Sequence, residues 1–129
     1  MISLHHVQLA MPADGAEAAR TYWVAAIGLV EVEQPSAIRP LGGCWFRAID
    51  GDRVTAEVHV GIEEPFSPAR KAHPALVVAD AAALDAVAER LRAGGFLVDK
   101  SQRTTYDGHV RFHSADPFGN RVEVLAPTR

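Results

Sequence analysis

The sequence has a single cysteine and no long apolar run. Only Cys44 can supply a thiol among the 129 residues, so no disulfide can form within one chain, and zinc sites built from cysteine pairs are excluded. No apolar stretch approaches the ~20 residues of a membrane-spanning helix, and the N-terminus lacks the basic and apolar regions of a signal peptide. We therefore expect a protein of the reducing cytoplasm with no membrane segment.

An excess of positive charge is also missing. Thirteen Lys and Arg residues stand against sixteen Asp and Glu residues, for a formal net charge of −3, so nucleic acid is not indicated as a partner. With 48% apolar and 22% charged residues, the composition is typical of one compact domain that is long enough to bury a core. Six histidines are the one unusual feature, and the site predictions below depend on them.

The chain contains an internal repeat, and each copy begins at a histidine. The segments that start at His6 and His73 both read as strands, and each leads into a helix with an apolar stripe. Each helix then stops at a glycine. The interval is the same in the two copies, because Gly28 minus His6 and Gly95 minus His73 are both 22. This match indicates a duplication.

Each copy has the same predicted order of elements, namely strand, helix and three strands. Asp14 and Asp80 are the predicted N-caps of the two helices. The later strands are expected at residues 29–33, 43–49 and 54–62 in the first copy and at 96–100, 109–115 and 121–125 in the second. The sequence therefore predicts an α+β fold, with one module at about 1–64 and another at about 70–129 of a single domain spanning 1–129.

Alternation along the strands places many polar side chains on one face. The apolar residues of each strand define the face that packs on the helices, so residues of the opposite parity share the other face. That other face carries histidine, glutamate and arginine rather than the scattered lysines of a surface exposed to bulk water. Its predicted polar members are His6, Gln8, Glu57, His59, Arg111, His113, Arg121 and Glu123. The pattern suits a polar cavity enclosed by a curved sheet.

Three motifs resemble those of the vicinal oxygen chelate superfamily, which includes glyoxalase I, fosfomycin-resistance enzymes, extradiol dioxygenases and bleomycin-binding proteins. The motifs are Leu4-His5-His6-Val7, Tyr22-Trp23 with Ile27-Gly28-Leu29, and Asp116-Pro117-Phe118-Gly119-Asn120-Arg121-Val122-Glu123. The resemblance covers essentially the whole chain. It implies two tandem βαβββ modules that form a curved mixed sheet around a metal-binding cavity, with the helices outside.

The resemblance also implies a metal site. It assigns His6, His73 and Glu123 as ligands of one divalent metal ion. His59 occupies the position where relatives often place Glu or Gln as a fourth ligand, so a histidine here departs from the pattern. Two imidazoles and a carboxylate suit Zn, Ni, Co, Mn or Fe(II), and this set of ligands does not choose among them.

Further residues are candidates for binding substrate or moving a proton. His113 falls where relatives commonly carry a tyrosine that touches substrate, and Arg111 shares its face, so each can orient an anionic group or transfer a proton. Lys100 ends the predicted sixth strand and Arg103 lies just after it, and both are candidates to close over an anion. The candidate general bases are the carboxylates Glu57 and Glu123.

The resemblance leaves several functions open. The first hypothesis is a metal-dependent lyase or isomerase of the glyoxalase type, acting on a small oxygenated substrate that chelates the metal. An Fe(II) extradiol-type dioxygenase and thiol addition to an epoxide are alternatives among enzymes, and a metal-free drug-binding protein like the bleomycin-resistance members is the alternative from another class. The ligand triad favours an enzyme. A homodimer is also expected, since dimers are common in the superfamily.

Overall fold

The computed structural model describes the whole chain, residues 1–129, and shows two compact units, Met1–Pro68 and Ala69–Arg129. Each unit has its own sheet and its own helix, so the predicted α+β class with two tandem modules is confirmed. The prediction that both modules belong to one domain stays a prediction. None of the helices has the length and apolar character needed to cross a bilayer.

The first unit contains a four-stranded sheet in the order β1-β4-β3-β2. β1 is parallel to β4, and the other two pairings are antiparallel. The elements are β1 (Val7–Met11), α1 (Ala16–Arg20) with a π-helical continuation (Thr21–Ala26), β2 (Val30–Val32), a 3-10 turn (Arg39–Leu41), β3 (Cys44–Asp50) and β4 (Arg53–Ile62). The three strands predicted after the first helix are therefore present, with ends shifted by at most one residue.

The first helix buries the predicted apolar stripe, since Tyr22, Trp23 and Ala26 lie in the core. Its start differs from the prediction. Gly15, not Asp14, is the N-cap, and no side chain caps the helix. The reason is a turn just before the helix, in which the N–H of Gly15 donates to the carbonyl of Pro12, so Asp14 lies within the turn.

The second unit contains a three-stranded sheet in the order β5-β7-β6. β5 is parallel to β7, and β6 is antiparallel to β7. The elements are β5 (Ala75–Val77), α2 (Ala81–Ala93), β6 (His109–Ala115) and β7 (Arg121–Pro127). Asp80 caps α2 as predicted, because its side chain accepts a hydrogen bond from the N–H of Ala83. The apolar stripe of α2 is buried, through Leu84, Val87, Ala88 and Leu91.

The strand predicted at 96–100 is wrong. This segment makes only an isolated bridge between Asp99 and His113. The Asp99 carboxylate accepts the N–H of Ser101, a local bond that turns the chain away from β6 and competes with a longer ladder. Residues 101–108 that follow form turns and bends.

The repeated glycines have a conformational reason. Gly28 and Gly95 both adopt positive φ, at 99° and 80°, a region that side chains other than glycine enter at a cost. In each copy the next residue donates its N–H to a carbonyl in the last turn of the helix, at 2.9 Å. The equal intervals therefore correspond to equivalent helix ends.

Candidate metal centre

A turn stabilised by Asp116 joins the two strands that carry most of the candidate site. The Asp116 carboxylate accepts hydrogen bonds from the N–H of Phe118, the N–H of Asn120 and the side-chain amide of Asn120, at 2.8–3.0 Å. Gly119 adopts a φ of 89° within this turn. Since Asp116 and Asn120 are buried, the turn is a fixed element that sets the pairing of β6 with β7.

That pairing brings a histidine opposite a glutamate. His113 of β6 lies directly across from Glu123 of β7, so the two side chains share a face. On the other side of β7, Ala75 pairs with Glu123, and the carbonyl of Pro74 accepts the N–H of Glu123. Glu123 thus stands on the central strand between His113 and the segment that carries His73.

Three potential ligand atoms converge at this point. Nε2 of His73 lies 3.1 Å from Oε1 of Glu123, and Nε2 of His113 lies 3.4 Å from the same oxygen. One ligand atom from each of the three residues falls within 4.8 Å of the others. Glu123 is buried, His113 is half-buried and His73 is exposed. Two imidazoles and one carboxylate on a partly accessible face match a three-ligand metal site with open positions.

The hydrogen bonds of His73 show that this donor set fits a cation. Nδ1 of His73 lies 2.9 Å from the carbonyl oxygen of Lys71, and because a carbonyl only accepts, Nδ1 must carry the proton. In the neutral ring Nε2 then carries a lone pair, which faces the carboxylate oxygen Oε1 of Glu123 at 3.1 Å. Two acceptors at this distance need a cation between them or a second proton on the ring. Metal-bound histidines commonly donate their other N–H to a backbone carbonyl in this way.

The other carboxylate oxygen of Glu123 faces an arginine. Nη1 of Arg111 donates to Oε2 at 3.3 Å. Burial alone would raise the pKa of Glu123, but the contacts with His73 and Arg111 outweigh burial and hold the pKa below its usual value. The contribution of His73 requires Nε2 to donate, as it does when the ring carries the second proton. Glu123 is therefore ionised near neutral pH and able to serve as a ligand.

The first unit holds a second cluster, built around a stack of rings. The His59 ring lies parallel to the Trp45 ring, with centroids 3.8 Å apart, and the His6 ring stacks on His59 at 4.1 Å. Trp45 and His59 are paired across β3 and β4. The stack fixes the plane of His59 and places it beside His6, as the face prediction implies.

An ion-paired carboxylate orients His59 within that plane. Oε2 of Glu57 lies 2.6 Å from Nε2 of His59, and Nε of Arg47 donates to Oε1 at 2.6 Å. Burial tends to raise the pKa of Glu57, but hydrogen bonds from His59 and Arg47 outweigh it and lower the pKa. Burial lowers the pKa of His59, so the neutral ring donates from Nε2 to the ionised carboxylate.

Other candidate residues have more ordinary surroundings. Arg103, expected to close over an anion, pairs with Asp85 of α2 at 3.2 Å, while the Lys100 side chain is exposed. Cys44 is fully buried in the core, and burial raises the pKa of its thiol, so it is a packing residue rather than a nucleophile.

The structure thus brings together two of the three ligands implied by the resemblance, His73 and Glu123. His6 and His59 lie in the first unit, and their role as ligands stays a prediction. His113 was expected to contact substrate, yet its nitrogen lies among the potential ligand atoms. The sequence does contain a pattern that indicates the pairing of His113 with Glu123, since each lies five residues from Phe118 at the centre of the turn.

The family of the chain follows from comparison with known proteins. A model of the Glyoxalase/Bleomycin resistance protein/Dioxygenase superfamily matches residues 3–124. The chain therefore belongs to this superfamily, as the sequence motifs predicted. Among curated proteins, none matches the chain.

Solved structures agree with this family. The chain is similar to a glyoxalase family protein from Bacillus anthracis, with 34% identity over 99% of this chain and 97% of that one, and a TM-score of 0.85. Two more distant structures share the fold. They are the fosfomycin resistance protein FosX from Listeria monocytogenes, with 15% identity, coverage of 100% and 94% and a TM-score of 0.70, and TnmS3, an antibiotic binding protein from Streptomyces sp. CB03234, with 21% identity, coverage of 99% and 99% and a TM-score of 0.66.

Proposed function

We propose that this protein is a metal-dependent enzyme of the glyoxalase type, a lyase or isomerase that acts on a small oxygenated substrate. One observation carries the proposal. Nε2 of His73 and Nε2 of His113 converge on one carboxylate oxygen of Glu123, at 3.1 and 3.4 Å, and in the neutral His73 ring that Nε2 carries a lone pair. The neutral ring is electrostatically unfavourable here unless a metal cation lies between the acceptors, the alternative being a second proton on His73.

The chain's own residues then have separate tasks. His73, His113 and Glu123 would hold one divalent ion, and the resemblance adds His6 and His59 as further ligands. When bound, such an ion supplies a Lewis acid for a substrate with two neighbouring oxygens. Glu123 and Glu57 are the candidate proton acceptors. Among the cationic candidates, Lys100 has the least engaged side chain and is the most available to an anionic substrate group.

Three alternatives stand beside this proposal. A two-histidine-one-carboxylate set also suits Fe(II), so an extradiol-type dioxygenase is the second enzyme candidate, and thiol addition to an epoxide is the third. The fold shared with TnmS3 supports a metal-free drug-binding protein. The donor set of His73, His113 and Glu123 favours the enzyme, because two imidazoles and one carboxylate are ligands that a divalent metal prefers.

The remaining parts of the proposal concern the protein's surroundings. We propose a homodimer, on the family resemblance alone, and a small molecule rather than nucleic acid as the partner, because the net charge is −3. A cytoplasmic location is supported by the single cysteine, Cys44, because a chain with one cysteine forms no internal disulfide of the kind common in secreted proteins.

Metal content tests the proposal. The protein is purified without added metal, dialysed against Zn, Ni, Co, Mn and anaerobic Fe(II) in turn, and analysed by elemental mass spectrometry. We expect one ion per chain in the parent, and loss of that ion in His73→Ala and Glu123→Gln. His109→Ala is the matched control, since His109 lies on the same strand as His113 but bonds the carbonyl of Asp107. It should keep the ion.

Two results would contradict the proposal, the first in its function and the second in its site. No bound ion in the parent for any of these metals would leave the metal-free binding protein as the better reading. Metal retained in both His73→Ala and Glu123→Gln would place the ion elsewhere. If binding is confirmed, the metal that supports turnover of dicarbonyl, epoxide or catechol substrates distinguishes the lyase, epoxide-opening and dioxygenase reactions.

A further inference from the structure

Arg111 lies beside the candidate ligands, but its guanidinium is turned towards the protein rather than towards solvent. Its side chain is 16% exposed. Nη1 donates to Oε2 of Glu123 at 3.3 Å, Nε donates to the carbonyl of Gln102 at 3.1 Å, and Nη2 donates to Oγ1 of Thr105 at 2.8 Å. The guanidinium carbon also lies 5.6 Å from the centre of the Tyr106 ring. Each of its three nitrogens is therefore occupied.

These partners of Arg111 belong to two different parts of the fold. Glu123 is on the central strand β7, whereas Gln102, Thr105 and Tyr106 belong to the segment 101–108, which has neither helix nor strand. The backbone N–H of Arg111 donates to the carbonyl of Arg103 as well, at 3.1 Å. Arg111 is thus the residue through which this loop is tied to a ligand carboxylate.

The contact with Arg111 also gives the two carboxylate oxygens of Glu123 different partners. Oε2 receives the arginine, while Oε1 faces the nitrogens of His73 and His113. Fixing one oxygen determines the direction in which the other points. A carboxylate held in this way binds a metal through a single, preoriented oxygen, and loss of such a supporting contact commonly weakens metal binding by about 10- to 100-fold.

We propose that Arg111 is a positioning residue that couples the order of the 101–108 loop to metal binding at Glu123. The inference rests on the proposed function, since it requires the ion at His73, His113 and Glu123. It replaces the expectation that Arg111 contacts an anionic substrate. Because coupling between two events is reciprocal, metal binding protects the loop, and an ordered loop strengthens metal binding.

Arg111→Lys is the informative variant, because it keeps the positive charge and removes the planar fork that reaches three partners at once. Arg92→Lys is the matched control, since Arg92 is half exposed on α2 and pairs only with Glu89. Hydrogen exchange of the 101–108 segment is measured with and without Zn or Co, metal affinity is measured by calorimetry, and urea unfolding confirms that each variant is folded.

In the metal-free protein, we expect Arg111→Lys to exchange about five-fold faster across 101–108, as expected for losing about one hydrogen bond. With metal, we expect its affinity to fall by about 10-fold or more, while added metal slows loop exchange in the parent and in Arg92→Lys only. A second variant, Thr105→Val, removes the hydrogen bonds of the Thr105 hydroxyl to Arg111 and to Gln102 without touching Glu123. It should loosen the loop and weaken metal binding by a smaller factor.

The outcomes separate this inference from the proposed function. If the parent binds metal and Arg111→Lys binds it equally well, or if loop exchange is the same in both, the coupling is overturned while the metal enzyme stands. If the parent binds no metal, the proposed function fails and the coupling fails with it. If the parent binds metal without any change in loop exchange, Arg111 does not transmit the effect, and the inference is again overturned.

Discussion

His113 and Glu123 face each other across the β6–β7 pair, with 3.4 Å between Nε2 and Oε1. The pairing places an imidazole and a buried carboxylate on one face of a rigid hairpin, five residues on either side of Phe118 in the turn. His73 approaches the same oxygen from the chain segment before β5. The candidate centre therefore depends on one strand register and on one short approach by a neighbouring segment.

Metal binding should stabilise the parent protein and should do so less in His113→Ala. With free Zn or Co at 100 times the dissociation constant, binding only to the folded state adds about 2.7 kcal/mol, which raises Tm by about 10 °C in a domain of this size. Differential scanning fluorimetry with and without metal measures the shift. His109→Ala should keep the full shift. A full shift in His113→Ala would show that this histidine is not a ligand.

Acid should destabilise the first unit through Glu57 and His59. The pKa of each is lowered in the folded state, so each contributes stability above its unfolded pKa, about 6.5 for His and 4.3 for Glu, and this stability is lost as pH falls through the folded pKa. We expect the urea midpoint to fall from about pH 6.5 downwards, with a second decline below about pH 4.3.

Glu57→Gln should remove the lower part of that decline, because the amide does not titrate. Glu89→Gln is the control, since Glu89 is 73% exposed and bonds only Arg92. Urea unfolding at pH 7, 5 and 3 makes the comparison. If the acid dependence of Glu57→Gln equals that of the parent, the ion pairs of Glu57 are not the source.

Asp116→Ala should destabilise the second unit strongly. The buried carboxylate accepts three hydrogen bonds within the turn, and their loss leaves buried donors unpaired, at a cost of about 2–4 kcal/mol. Urea unfolding gives the change in free energy. Asp107→Ala, in an exposed turn, should change stability by less than about 0.5 kcal/mol. Equal effects in the two variants would contradict a structural role for Asp116.

Gly95→Ala should cost about 1–2 kcal/mol from the backbone alone. Gly95 has a φ of 80°, and an added Cβ would meet no atom within 4 Å, so the penalty comes from the conformation rather than from a clash. Gly95→Asn should cost less, because asparagine enters this region more easily. Thermal unfolding of both variants ranks them. A larger loss in Gly95→Asn than in Gly95→Ala would rule out this explanation.

Several features of the fold could be predicted from the sequence because they depend on near neighbours. The apolar stripe of α2, its cap at Asp80 and the glycines after both helices follow from local spacing, and the structure confirms them. The two local predictions that failed, the cap at Asp14 and the strand at 96–100, were overridden by turns. Before the first helix, the N–H of Gly15 bonds the carbonyl of Pro12, and after α2 the carboxylate of Asp99 accepts the N–H of Ser101. These local hydrogen bonds form turns in place of the predicted cap and strand.

The site itself was predictable only in part. Strand parity placed Glu57, His59, His113 and Glu123 on the polar face, and the resemblance named His73 and Glu123 as ligands. Parity gives the face of a residue but not its distance from residues on other strands. His113 was therefore predicted to contact substrate, although the register of β6 against β7 puts it among the potential ligand atoms.

The two-module α+β plan, the superfamily and the chemical types present at the site follow from the amino-acid sequence, since these depend on periodicity and short motifs. Which side chains meet follows from the three-dimensional fold. The bond from His73 to the carbonyl of Lys71, which fixes the tautomer, and the contacts of Arg111 with both Glu123 and the 101–108 loop depend on atomic positions to within a fraction of an ångström. Such positions are set by strand register and by packing between residues distant in the chain, which no local pattern records.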